Sequence, residues 1–260
     1  MAPDPRRALV TGGSRGIGRE IALALAADGC AVITTARSQD ALAETASLAA
    51  AAGHAIGTLV CDVDDLDAAA RLVDRAAGTW GGSGPTIVVN CAGVVLSAKL
   101  TEISRADFGR SMRVNVQAPL TLVQCAVAAM RAAGWGRIVN IGSMYSRIAP
   151  KYSGSYAISK HALLGLTRVM SSELSRYGIT ANAVLPGWTN TDMLRDEARV
   201  VAGIRGIGED EAIQLFLRNQ PMQRVIEPAE VAALVTYLCS DAAAAISGQG
   251  ISIDGGELQV

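Results

Sequence analysis

The chain has 260 residues, half of them hydrophobic, and its 23 basic side chains nearly cancel its 24 acidic ones, for a formal net charge of -1 and a pI near 6.1. That length suits one large α/β unit with ample core. Balanced, dispersed charge offers no footprint for nucleic acid or an anionic membrane, so a small molecule is the expected partner.

Cys30, Cys61, Cys91, Cys125 and Cys239 stand far apart without a Cys-x-x-Cys pair, and His54 and His161 are the only histidines. No metal site is therefore expected, and the cysteines read as reduced core residues. The opening Met1 to Arg7 has no apolar run behind a basic start, and no stretch reads as a membrane span, so a cytoplasmic protein is expected.

In chain order, Ala8 to Thr11 reads as a strand that runs into Thr11-Gly-Gly-Ser-Arg-Gly-Ile-Gly18 and then into a helix to about Asp28. Gly12, Gly16 and Gly18 let the backbone turn sharply and approach a phosphate, which the N-terminus of the following helix attracts. Ser14, Arg15 and Ile17 belong to the same turn. Ala31 to Thr35 is the second strand, and Asp40 to Ala52 is helical. In a dinucleotide-binding half, the residue after the second strand meets the adenosine ribose, where an acid suits a free 2′-hydroxyl and an arginine a 2′-phosphate. Ala36 and Arg37 stand there, with no carboxylate, so NADP(H) is preferred over NAD.

The third strand, Ile56 to Cys61, ends at Asp62 and Val63, where Asp62 is placed to accept from an adenine amino group. A helix from about Asp65 to Trp80 and a Gly/Pro loop follow. The fourth strand, Thr86 to Asn90, runs into Asn90-Cys-Ala-Gly93, whose small residues, Ala92 and Gly93 included, let a cofactor come close. Arg105 to Ala133 reads as one mostly helical segment with Asn115 inside it, a position where asparagine implies a polar reason. The fifth strand, Gly136 to Ile141, is an almost continuous apolar run of the kind buried on both faces. Ser143 follows just past its carboxyl end, where open α/β sheets bind ligands.

Tyr156 and Lys160, four residues apart, share one face of a helix reaching about Tyr177. A cation beside a phenol favours the phenolate and eases proton exchange, as a general acid for a carbonyl requires. The sixth strand spans Thr180 to Leu185 and leads to Pro186-Gly187-Trp188-Thr189. From about 190 to 221 the strand pattern is lost, and a short amphipathic helix near Glu211 to Leu217 marks a lid. Pro228 to Ser240 is helical, and Gln249 to Asp254 is the seventh strand. Strands and helices alternate throughout, which predicts one domain over 1–260: a doubly wound parallel sheet of seven strands with helices on both faces and a small lid.

Thr11-Gly-x-x-x-Gly16-x-Gly18, Asn90-Cys-Ala-Gly93, Asn115, Ser143, Tyr156-x-x-x-Lys160 and Pro186-Gly187 occur in an order and spacing that closely resemble the short-chain dehydrogenase/reductase family across the whole chain. Cys91 stands where many relatives carry a second asparagine. The resemblance implies a Rossmann-type fold with Ser143, Tyr156, Lys160 and Asn115 as the catalytic residues. Ser143 then bonds the substrate oxygen, Tyr156 protonates it, Lys160 lowers the tyrosine pKa and holds the ribose, and Asn115 supports a proton-carrying water. It also implies cofactor contacts at Pro186, Gly187 and Thr189, and a homotetramer.

The pattern is similar to 3-oxoacyl-(acyl-carrier-protein) reductases and polyketide ketoreductases, which implies an NADP-dependent reductase of a 3-oxoacyl or related ketone, free or linked to a carrier or CoA. Dehydrogenases of 3-hydroxyacids or bulky secondary alcohols share the pattern. Met144, Tyr145, Arg147, Tyr152, Trp188 and Met193 flank the catalytic segments and are candidates for the substrate pocket. Of the other classes, a serine hydrolase lacks its Gly-x-Ser-x-Gly elbow at Ser143, and a non-catalytic dinucleotide sensor or scaffold is the competing reading.

Overall fold

The computed structural model describes residues 6–259; Val260 and Met1 to Pro5, most of the opening segment read for a leader, lie outside the described residues. Strands β1 (Arg7–Thr11), β2 (Ala31–Ala36), β3 (Ile56–Val60), β4 (Ile87–Asn90), β5 (Gly136–Ile141), β6 (Ile179–Pro186) and β7 (Gly250–Ile253) form one sheet in the order β3-β2-β1-β4-β5-β6-β7, every pair parallel. Residues of β4, β5 and β6 are buried throughout, which is why these segments are mostly apolar.

Helices α1 (Gly16–Ala27), α2 (Gln39–Ala51), α3 (Leu66–Thr79), α4 (Arg105–Met112), α5 (Ala118–Ala133), α6 (Gly154–Leu174), α7 (Asp192–Arg205), α8 (Glu209–Leu217) and α9 (Pro228–Cys239) complete the fold. Strand alternation divides the core in two. Val10, Val89 and Val139 point to the face covered by α1 and α9 with Ile21, Leu25 and Val235. Their neighbours Leu9, Val88 and Ile138 point to the opposite face with Leu72, Leu122 and Met130. From β1 the chain winds outward through β2 to β3 and then returns to β4 on the other side of β1. The order therefore reverses between β1 and β4, leaving a crevice at their carboxyl ends, the general ligand position of such sheets.

Four features depart from the sequence reading. The segment expected as one helix over Arg105 to Ala133 is α4 and α5 joined by a π-helical turn at Arg113–Gln117. Pro119 has no N–H to close an α-helical bond to the Asn115 carbonyl four residues earlier, which favours a change of helical pitch there. By length and composition this stretch passes as a membrane span, contrary to expectation, although α5 buries Leu122, Val123, Ala126 and Met130 in the core. The lid region holds a full helix, α7, that the sequence reading passed over; its buried Leu194 and Ala198 lie one turn apart. Cys125 is exposed rather than a core residue.

Candidate active site

The glycine turn crosses the carboxyl end of β1 under close contact. Gly12 has φ of 75°, and a Cβ there would lie 2.9 Å from the backbone N and Cα of Ala92. Gly13, which the motif reading did not single out, presses harder still, since its Cβ would stand 1.7 Å from Thr34 Oγ1. Thr11 Oγ1 accepts from the backbone N–H groups of Cys91 and Ala92, both at 3.1 Å, and so fixes the loop after β4 beside the turn. Arg19 braces the turn from α1, its Nε and Nη2 donating to the Ser14 carbonyl at 3.1 and 2.6 Å while it pairs with Glu44 at 2.8 Å.

Helix α1 starts at Gly16 with no side-chain cap, whereas Ser38, Asp65 and Ser104 cap α2, α3 and α4. Uncapped N–H groups at a helix N-terminus and a backbone kept bare of side chains fit the phosphates of a dinucleotide. Ile17 packs against the core behind the turn. Arg37 is exposed just past β2. Arg15 is turned to α7, where it pairs with Asp192 at 3.0 Å. Asp62 is exposed, with Oδ1 accepting from Asp64 N–H at 3.0 Å, and Val63 is buried against Val114 and Ala118 beside Ala92.

Asn90 sends its side chain into the sheet, where Nδ2 donates to Asn140 Oδ1 at 2.8 Å, so only its backbone is left for a cofactor. Asn115 is 1% exposed. Its Oδ1 accepts from Val94 N–H at 2.9 Å, and its Nδ2 donates to the Val94 carbonyl at 3.0 Å and to Ser159 Oγ at 2.9 Å. One amide thus ties the loop after β4 to α6. A Cβ on Gly93 would touch both Asn115 Oδ1, at 3.3 Å, and Lys160 Nζ, at 3.6 Å, so these three positions share one small space. Pro186 ends β6, Gly187 is pressed against Asp254, and Thr189 Oγ1 donates to the Gly187 carbonyl at 3.0 Å.

Ser143, Tyr156 and Lys160 converge beside this space. Ser143 Oγ accepts from Tyr145 N–H at 3.1 Å. Lys160 is 4% exposed; Nζ donates to the Ile141 carbonyl at 2.7 Å and stands 5.5 Å from the centre of the Tyr156 ring. Burial pulls its pKa down to about 8. Burial also pushes Tyr156 up to about 12; the Ser143 hydroxyl opposes the rise, and Glu197 and Cys91 add to it. Loss of hydration is the largest influence on the phenol and outweighs the Ser143 hydroxyl, while the Lys160 ammonium is held by the Ile141 carbonyl over the ring.

The pocket candidates separate. Tyr145 meets Tyr156 edge-on at 5.9 Å and Trp188 at 6.2 Å, and Trp188 stacks on Phe216 at 4.5 Å. Phe216, on α8, was not among the candidates. Met144 is buried. Arg147 reaches β7 instead, its Nη2 donating to the Gly250 carbonyl at 2.6 Å. Tyr152 and Met193 are 58% and 46% exposed. No cluster of three metal-binding side chains occurs among the described residues.

A family model described as enoyl-(acyl carrier protein) reductase matches residues 12–257. The chain is 31% identical over 255 residues to the D-beta-hydroxybutyrate dehydrogenase of Rhizobium meliloti strain 1021, covering 96% of this chain and 98% of that one. It is 34% identical over 256 residues to a 3-oxoacyl-(acyl-carrier-protein) reductase of Pseudomonas aeruginosa, covering 98% of each. Among solved structures, a single-substitution variant of the actinorhodin polyketide ketoreductase with NADPH superposes with a TM-score of 0.94 at 31% identity, covering 99% of this chain and 98% of that one.

Proposed function

This chain belongs to the short-chain dehydrogenase/reductase family, and from that premise we propose that it reduces a 3-oxoacyl or related ketone with NADPH. The observation that carries the reading is the convergence of Ser143, Tyr156 and Lys160 at the carboxyl end of the sheet, beside a glycine turn shaped for phosphates. Bound NADPH supplies the hydride. Ser143 donates to the substrate oxygen, and Tyr156 gives that oxygen its proton. The phenol holds its proton at neutral pH and so has one to give. Lys160 has three N–H donors and gives one to Ile141, leaving two for the ribose hydroxyls. Asn115 sets the floor of the site through Val94 and Ser159, and its carbonyl, four residues before Pro119, is the acceptor for a proton-carrying water.

The preference for NADPH rests on Arg37, the absence of a carboxylate at Ala36 and Arg37, and the NADPH bound by the actinorhodin enzyme. Gly12, Ser14, Ile17 and Gly18 cradle the phosphates, Val63 and Ala92 flank the adenosine side, Gly93 lets the cofactor pass beside Lys160, and Gly187 and Thr189 hold the nicotinamide end. A second reading, a reductase of bulky or aromatic ketones, is favoured by the Tyr145–Trp188–Phe216 wall. The protein is proposed to act in the cytosol as a homotetramer.

Turnover of a short 3-oxoacyl thioester, an aryl ketone and acetoacetate, each with NADPH and NADH, tests the substrate and cofactor assignments. Reduction with higher kcat/KM for NADPH is expected. A strong NADH preference overturns the cofactor assignment, and dinucleotide binding without any turnover favours a sensor.

A further inference from the structure

Two arginines leave the carboxyl ends of neighbouring strands. Arg15 lies in the turn after β1 and Arg37 directly after β2. The backbone N–H groups of Gly12 and Gly13 donate to the Thr35 carbonyl at 2.8 and 3.2 Å, which holds the turn against the end of β2. Arg37 forms no ion pair among the described residues. Arg15 does: its Nη1 meets Asp192 Oδ2 at 3.0 Å, across 177 residues of chain.

Asp192 is the first residue of α7, in the lid region. The preceding residue comes equally close to the turn, since a Cβ on Gly16 would lie 3.1 Å from Thr191 Cγ2. The lid therefore meets the phosphate turn at its opening residues and brings a carboxylate to it. Arg19 does not contest that acid, being committed to the Ser14 carbonyl and Glu44. The Arg15 and Asp192 side chains are 68% and 57% exposed, so theirs is a weak pair that a stronger anion can break. A phosphate monoester is such an anion, with up to two charges and three acceptor oxygens.

We infer that Asp192 is a specificity-determining residue, which acts through Arg15 to set how strongly the protein prefers the dinucleotide that carries a 2′-phosphate. While the pair stands, the carboxylate claims a donor that this phosphate needs and repels the phosphate itself. Binding of NADPH then has to break the tie between turn and lid, whereas NADH, which lacks the phosphate, leaves it intact. The inference rests on the NADPH reading and adds the residue that tempers that preference.

Dissociation constants of NADP+ and NAD+ are measured by calorimetry, without substrate, for the parent, Asp192→Asn, Asp192→Glu, Arg15→Gln and the double variant Arg15→Gln/Asp192→Asn. Asp192→Asn should tighten NADP+ about three- to fivefold and leave NAD+ nearly unchanged, and Asp192→Glu, which keeps the acid, should behave as the parent. In the Arg15→Gln background the change at Asp192 should no longer shift the NADP+ to NAD+ ratio. An acid that served only the first turn of α7 would move both dinucleotides alike when lost, so the ratio separates specificity from structure. A ratio that stays put or moves toward NAD+ in Asp192→Asn, or that shifts as much without Arg15, would overturn the inference. A parent that binds NAD+ more tightly, with the ratio still moving toward NADP+ in Asp192→Asn, would overturn the NADPH reading and leave the role of Asp192 standing. Binding of neither dinucleotide to any of the five proteins would overturn both.

Discussion

Replacing Lys160 with methionine should make the protein more stable at neutral pH while abolishing its activity. Lys160 is buried, and its pKa falls from an ordinary 10.5 to about 8. A lysine that binds its proton less readily in the folded chain than in the unfolded one opposes folding. The cost is full below about pH 8 and fades as pH rises toward the unfolded value of about 10.4. The difference between those values corresponds to ~3 kcal/mol at pH 7 and ~1 kcal/mol at pH 10. Methionine fills similar space without the charge, but it leaves the Ile141 carbonyl, now bonded at 2.7 Å, without its donor, at a cost of ~1 kcal/mol. The net expectation is a gain of ~2 kcal/mol at pH 7 that shrinks to about zero at pH 10. Urea denaturation of the two proteins at both pH values, without cofactor, measures it. A variant less stable than its parent at pH 7, or a difference that does not change with pH, would refute the reasoning.

Other outcomes follow from the same geometry. Asn115→Ala removes an amide that joins Val94 to Ser159 and should cost about 2–3 kcal/mol in a denaturant titration, since it leaves buried partners unpaired, with kcat falling as well. Gly13→Val would drive a side chain into Thr34 and should abolish dinucleotide binding, read by quenching of protein fluorescence. Phe216→Ala unstacks Trp188 and should raise KM for aryl ketones about tenfold while changing KM for acetoacetate less.

The strands were legible because β4, β5 and β6 are buried throughout and rich in Ile, Val and Ala, although Asn90, Arg137, Asn140, Thr180 and Asn182 interrupt the runs. The pair Tyr156 and Lys160 was legible as a local spacing, and the glycine turn as three offsets between a strand and a helix. Helix α7 was not: only Leu194 and Ala198 are buried, and its other apolar residues, such as Val200 and Ile204, lie exposed among charged ones, which blurs the periodicity. The π turn escaped because Arg105 to Ala133 keeps a helical composition through it, and only the four-residue interval from Asn115 to Pro119 betrays the break. Phe216 lies 28 residues from Trp188 in the sequence, and no local pattern announces their stacking. The burial that pushes the Tyr156 pKa up was not legible for a related reason. The i, i+4 neighbour is visible in the sequence, whereas burial is the sum of contacts from many distant segments.

The central claim, that Tyr156 is the acid in a hydride transfer, is tested most directly by following NADPH oxidation with a reducible ketone in the parent and in Tyr156→Phe. The ring and its contacts with Tyr145 remain in that variant, and only the proton donor is lost. Its kcat is predicted to fall ~10²–10⁴-fold with NADPH affinity retained; turnover within a few-fold of the parent would contradict the account.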